Sequence, residues 1–231
     1  MLRWGLGDVA WVWLAGFVLN VLAVSVVDGV RSIGPDHRAD GLDLAVGLFA
    51  QGLAMLAAAT LIARRKGRGS LRADFGLTVR VADWPWLAAG VLLQVGSFAL
   101  VWVLEQAGSL PRQEAARVVG ASGGFELVVA AIGVAVLAPV AEELLFRGVF
   151  LRALLRRATP GVSVAGSAVL FAAVHPLLDP ATLPLVVPLL ALGVLSGVRA
   201  VRTGDLSQSI LVHAGFNLLG VIGLLSATAG L

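Results

Sequence analysis

Seven apolar runs, separated by polar segments, set the pattern of this chain. They cover residues 9–27, 42–63, 85–104, 126–146, a shorter one at 162–175, then 183–198 and 206–226. An α-helix rises about 1.5 Å per residue, so roughly 20 apolar residues cross the ~30 Å hydrocarbon layer of a bilayer. The pattern predicts an all-α fold, a polytopic transmembrane helical bundle. Residues 1–231 read as a single integral membrane domain, with no internal repeat, low-complexity tract or second domain. Arg3 precedes the first run, and no small-residue cleavage site leads into a soluble segment, so that run reads as a signal anchor. Pro176, Pro180, Pro184 and Pro188 recur every fourth residue. They predict a bent connection between the fifth and sixth spans, with Pro188 kinking the sixth.

Composition supports the membrane assignment. Hydrophobic residues make up 58% of the chain and charged ones 13%, against about 25% charged in soluble domains. One soluble core of this size cannot hide that much apolar surface. Of the 17 basic residues all but Lys66 are arginine. They concentrate in 64–84, 147–157 and 199–202, alternating with weakly charged connections, and form no nucleic-acid patch. The positive-inside rule puts those three segments, and with them the N-terminus, in the cytoplasm. Seven spans then leave the C-terminus outside. The expected location is the cell membrane, multi-pass, and the Arg-rich, Lys-poor usage points to a GC-rich bacterial genome. The absence of cysteine excludes disulfides and thiolate metal sites. Trp4, Trp84, Trp86 and Trp102, near segment ends, are expected interfacial anchors. The basic segment 64–84 reads as an orientation signal, and its stretch Leu71–Val81 can also lie on an anionic inner leaflet.

Ionisable groups at membrane depth cost a few kcal/mol or more by insertion scales and mark functional candidates. The fourth run carries Glu142, Glu143 and Arg147. Glu143 and Arg147 are four apart and share a helix face, so they can pair, while Glu142 points about 100° away. One carboxylate is thereby neutralised and the other left free. His175 follows Phe171 by four, and His213 precedes Asn217 by four. Counted along each helix, His213 lies roughly 12 Å from Asp205 and Glu142 roughly 8 Å from Arg147. These depths are compatible with one cavity opening toward the cytoplasm. A carboxylate beside an imidazole can activate water as a general base and return the proton to a leaving amine. A second imidazole and an amide can stabilise an oxyanion. The sequence offers no Cys nucleophile and no Gly-x-Ser-x-Gly elbow, so attack by activated water is the simplest chemistry. Glu142, His175 and His213 can also hold a divalent metal, zinc, with an open position, although the His-Glu-x-x-His spacing is absent. The plain structural alternatives are a helix-end charge cluster for the glutamates, a polar cap before Pro176 for His175, and interhelical hydrogen bonding for His213 and Asn217. Phe171 reads as packing.

Glu-Glu-x-x-x-Arg, then Phe-x-x-x-His, then His-x-x-x-Asn, in order on separate spans, resembles the CAAX protease and bacteriocin-processing (CPBP) family. That family includes the Ras-converting CAAX endopeptidases and bacterial Abi-type membrane proteins. The resemblance covers roughly residues 125–226, the expected catalytic core. It implies an intramembrane glutamate-dependent endopeptidase of a group long classed as metalloproteases, usually with an eighth helix. It also implies a peptide or protein substrate, lipidated in the CAAX case, approached from the cytoplasm or the lipid bilayer. By the resemblance, Glu142 activates water with help from His175. Glu143 and Arg147 form a structural or substrate-orienting ion pair, and His213 and Asn217 serve the oxyanion. The two rival readings are a non-catalytic membrane scaffold or bacteriocin-immunity protein of the same fold, and a transporter relaying protons or an ion. The latter is disfavoured because the chain lacks paired broken helices in matching halves.

Overall fold

The computed structural model describes residues 3–34, 39–108, 118 and 124–228. The loop residues Asp36, His37, Arg38, Pro111 and Gly123 lie outside these. Seven long helices are apolar enough to cross a membrane, and no strand occurs among the described residues. They are α1 (Leu6–Val30), α2 (Gly41–Lys66), α4 (Pro85–Ala107), α5 (Gly124–Leu155), α6 (Pro160–Leu178), α7 (Val186–Thr203) and α8 (Ser207–Thr228). A short helix, α3 (Leu71–Phe75), lies between α2 and α4. The chain is a multi-pass α-helical membrane protein.

Local chemistry sets the helix ends. Asp40 accepts hydrogen bonds from the Leu42 and Asp43 N–H groups, and the Asp43 carboxylate accepts from the Asp40 N–H, closing a reciprocal cap on α2. Arg64, Arg65 and Lys66 fill the last turn of α2, where cations complement the helix dipole. Pro160 opens α6, at a position whose N–H has no helical partner anyway. The bent connection expected between the fifth and sixth spans is present, but Pro188 departs from its expectation. Pro176 sits near the end of α6, Pro180–Leu185 forms a 3₁₀ turn, and Pro188 occupies the first turn of α7. A proline there removes no helical hydrogen bond, so Pro188 starts α7 rather than kinking it.

Small residues bring the helices close. A Cβ on Gly90 would lie 1.8 Å from the Val212 carbonyl oxygen, and one on Gly215 would lie 2.1 Å from that of Leu87. The backbones of α4 and α8 therefore touch at this crossing, as small residues allow in membrane bundles. His213 lies between the two contact points on α8 and is held by them.

The arginine-rich segments meet at one end of the bundle. The Arg3 N–H donates to the Lys66 carbonyl at 2.8 Å, and the Lys66 ammonium pairs with the buried Asp8 at 2.6 Å. Arg156 donates to the Trp4 carbonyl, Arg152 to that of Gly204, and Arg80 pairs with Asp205. The N-terminal residues thus share an end with all three basic segments, as seven alternating spans require. Two expectations are corrected here. Trp4 is 3% exposed, stacked under the Arg156 guanidinium at 4.1 Å and edge-on to Phe75, so it is a packed residue rather than an interfacial anchor. Of the stretch Leu71–Val81 expected on a leaflet, the short helix Leu71–Phe75 turns inward, while Val79 and Val81 remain exposed. Phe75 is fully buried, and Asp74 (1% exposed) accepts hydrogen bonds from the Arg68 and Ser70 N–H groups.

Candidate active site

The helix carrying the glutamates is not a uniform α-helix. Within α5, π-helical turns run over Gly133–Leu137 and Leu144–Leu151, and the α-helical segment Ala138–Glu143 lies between them. A π-turn carries an extra residue and often marks a functional site. Pro139 accounts for the first. The Ala138 N–H bonds to the Gly133 carbonyl, five residues back. In that register the next donor would be residue 139, and proline has none. The Val134 carbonyl is left without a helical partner: its α-helical donor, Ala138, is taken, and its π-helical donor does not exist. The Asn217 side chain supplies the missing hydrogen bond from α8, at 2.9 Å.

Glu143 points into the bundle and is fully buried. Its Oε1 accepts from Arg147 Nη1 at 2.9 Å and lies 3.0 Å from His213 Nδ1. Arg147, also fully buried, donates through Nη2 to the Gly193 carbonyl at 3.1 Å, and its guanidinium lies 4.5 Å above the Phe171 ring. A Cβ on Gly193 would sit 2.9 Å from Ala168 Cα, so the close approach of α6 and α7 delivers that carbonyl. The i,i+4 pairing expected for Glu143 and Arg147 is present.

Glu142 faces another direction. Its side chain is 22% exposed, and its Oε2 lies 3.8 Å from His213 Nε2, beyond hydrogen-bond distance. That oxygen is buried and makes no hydrogen bond, and the same holds for Glu143 Oε2 and Arg147 Nε. Buried polar atoms are paired in most proteins, so unpaired ones concentrated on three neighbouring side chains mark a place of chemical use. The His213 ring spans the two carboxylates.

His175 joins the cluster through aromatic contact. Its Nδ1 lies 2.8 Å from the Phe171 carbonyl oxygen, and its ring packs edge-on to Phe171 at 5.0 Å. A carbonyl oxygen can only accept, so Nδ1 carries the proton and Nε2 presents its lone pair when the ring is neutral. His175 makes no hydrogen bond or ion pair to either glutamate. Phe171 is more than wall: its fully buried ring touches Arg147, Phe146, His175 and His213. Asn217 stands one turn from His213, on the Val134 carbonyl. Of the six predicted site residues, four (Glu142, Glu143, Arg147 and His213) form one cluster, His175 borders it across Phe171, and Asn217 ties its two helices.

The roles of Gly193, Val134 and Pro139 carried no sequence signal, because two of them act through backbone carbonyls and the third through a missing donor. Phe171 was legible only as the partner of His175 at helical spacing. The metal reading meets an obstacle. Among the described residues no group of three or more His, Asp and Glu side chains is placed to hold a metal ion. Glu142, His175 and His213, as placed here, do not converge on a single ion.

Comparison with known proteins adds one finding. Residues 124–219 match the type II CAAX prenyl endopeptidase Rce1-like family. The match begins where α5 begins and ends two residues past Asn217, so it contains every residue of the cluster and none of α1–α4. It bears out the CPBP resemblance read from the three motifs. No curated protein and no solved structure matches the chain. The Rce1-like family implies a protease, a hydrolase acting on a peptide substrate in a membrane setting.

Proposed function

We propose that this protein is an intramembrane endopeptidase that hydrolyses a peptide bond with water activated by Glu142. One observation carries the reading: adjacent carboxylates have opposite commitments. Glu143 is buried against Arg147 and His213, whereas Glu142 is partly exposed, with an oxygen facing an imidazole and bonded to nothing. Glu142 takes a proton from water, and the resulting hydroxide attacks the scissile carbonyl carbon. The negative charge moves to the carbonyl oxygen, where His213 Nε2, when it carries a proton, can donate to it. Collapse of that intermediate breaks the C–N bond, and the proton held by Glu142 passes to the leaving amine. His175 Nε2 is free to help move it. Glu143 and Arg147 keep His213 oriented throughout, Nδ1 toward Glu143.

The substrate in this reading is a peptide or protein segment, with or without a lipid anchor. It enters from the bilayer or from the arginine-rich end, which the positive-inside rule puts in the cytoplasm. The test is cleavage of a panel of lipidated and unlipidated peptides by purified protein in nanodiscs. Wild type is compared with Glu142→Gln and His175→Ala. Cleavage by wild type, abolished by Glu142→Gln and reduced by His175→Ala in folded proteins, supports the proposal. A folded wild type that cleaves nothing across a broad panel overturns it in favour of a binding scaffold.

A further inference from the structure

We infer that Asn217 is a positioning residue: it holds α5 in the π-register that aims Glu142 and Glu143 at His213. This rests on the proposed role of Glu142 only for its consequence in catalysis; the clamp itself is a matter of geometry. Three observations meet at one atom. The Ala138 N–H is spent on the Gly133 carbonyl. Residue 139 is proline and has no N–H to offer. The Val134 carbonyl, orphaned by both, accepts from Asn217 Nδ2 at 2.9 Å. Only the nitrogen of an asparagine amide can serve a carbonyl, so the orientation of the side chain is fixed.

The clamp matters because the segment bearing the carboxylates lies directly beyond it on α5. A π-turn contains one residue more than an α-turn, and each helical residue advances about 100° around the axis. Loss of the extra residue would swing the Ala138–Glu143 segment through about that angle and turn the carboxylates away from His213. Asn217 and His213 lie four apart on one face of α8, whose position is fixed where Gly215 meets the α4 backbone. One helix face thus holds both the base of the bulge, through Asn217, and the carboxylate presented beyond it, through His213. One of the two Nδ2 N–H donors is given to Val134, and through that bond Asn217 sets the direction of Glu142.

The chain contains no cysteine, so an introduced pair reports helix register without background. Gly52 on α2 faces Leu137, the last residue of the first π-turn: a Cβ on Gly52 would lie 2.8 Å from Leu137 Cγ. The experiment compares oxidative cross-linking of Gly52→Cys/Leu137→Cys protein in nanodiscs with Asn217 intact and with Asn217→Leu, beside peptide cleavage by the cysteine-free forms. Asn217→Ala serves as second variant if the leucine form does not fold. Cross-linking several-fold lower in the folded variant is expected. It should come with a kcat about 10- to 100-fold lower at unchanged KM, the range for one orphaned buried carbonyl. Unchanged cross-linking overturns the clamp, whatever happens to activity. Reduced cross-linking with full kcat overturns its bearing on catalysis. If wild type cleaves nothing, the endopeptidase reading fails, and cross-linking still decides the clamp.

Discussion

Removing the Arg147 guanidinium while keeping its bulk, as in Arg147→Met, strips three contacts at once. They are the 2.9 Å bond to Glu143, the 3.1 Å bond to the Gly193 carbonyl and the stacking over Phe171. Glu143 stays fully buried, with Oε2 already unpaired and only His213 beside Oε1. Breaking a buried ion pair from one side costs about 3–5 kcal/mol, because the remaining charge has nowhere to go. For a chain of this size each kcal/mol moves the melting temperature by about 2–4 °C, so a fall of roughly 10 °C is expected. The assay is thermal unfolding of the detergent-solubilised protein, followed by loss of the monodisperse peak in size-exclusion chromatography. The double variant Glu143→Gln/Arg147→Met removes both charges and should recover at least half of the loss, since a buried pair replaced on both sides is close to neutral. Arg147→Lys keeps the charge but not the fork that reaches Glu143 and Gly193 together, and should fall between. An Arg147→Met protein that melts with wild type, or a double variant no better than the single, would show that the pair does not hold the bundle in this way.

Other contacts carry their own consequences. Gly215→Leu drives a side chain into the Leu87 carbonyl and should sharply reduce the yield of folded, membrane-inserted protein, measured by fluorescent-fusion chromatography; normal yield would contradict the close α4–α8 crossing. Arg31 beside Asp40 holds that carboxyl down at about 2 from its usual 3.8. The Asp40 contribution to stability is therefore present above pH 3.8 and lost as pH falls through 2; the melting temperature of Asp40→Asn should converge on wild type below pH 2 and fall below it at neutral pH. Peptide cleavage should survive prolonged chelation unchanged. Loss on chelation with recovery on added zinc would instead place a metal at Glu142, His175 and His213.

The helical spans were legible because an apolar run of sufficient length has one physical outcome in a bilayer; all seven runs became helices, most with ends moved by a few residues and the fourth extended by nine to Leu155. The Glu143–Arg147 pair was legible for a similar reason, since spacing of four survives in any helix. The internal form of α5 was not. Whether the chain takes a π-turn at Gly133–Leu137 depends on a donor missing at Pro139 and another arriving from Asn217, 83 residues away on a different helix. Trp4 shows the same limit: its sequence position suits an interfacial anchor, and only the assembled end of the bundle brings Arg156 and Phe75 around it. The convergence of Glu142, Glu143 and His213 was expected from helix depth, but depth alone gave His175 and His213 equal access. The 3.0 Å contact from Glu143 to His213 separates them.

The division of labour between the two glutamates is best resolved by Glu142→Gln and Glu143→Gln side by side, each scored for peptide cleavage and for melting temperature in the same nanodiscs. Glu142→Gln should melt like wild type and lose activity by at least about 100-fold, as expected for removal of a general base. Glu143→Gln should melt well below wild type, because it leaves the buried Arg147 without its counter-charge. A fully active Glu142→Gln beside a stable and inactive Glu143→Gln would reverse the assignment.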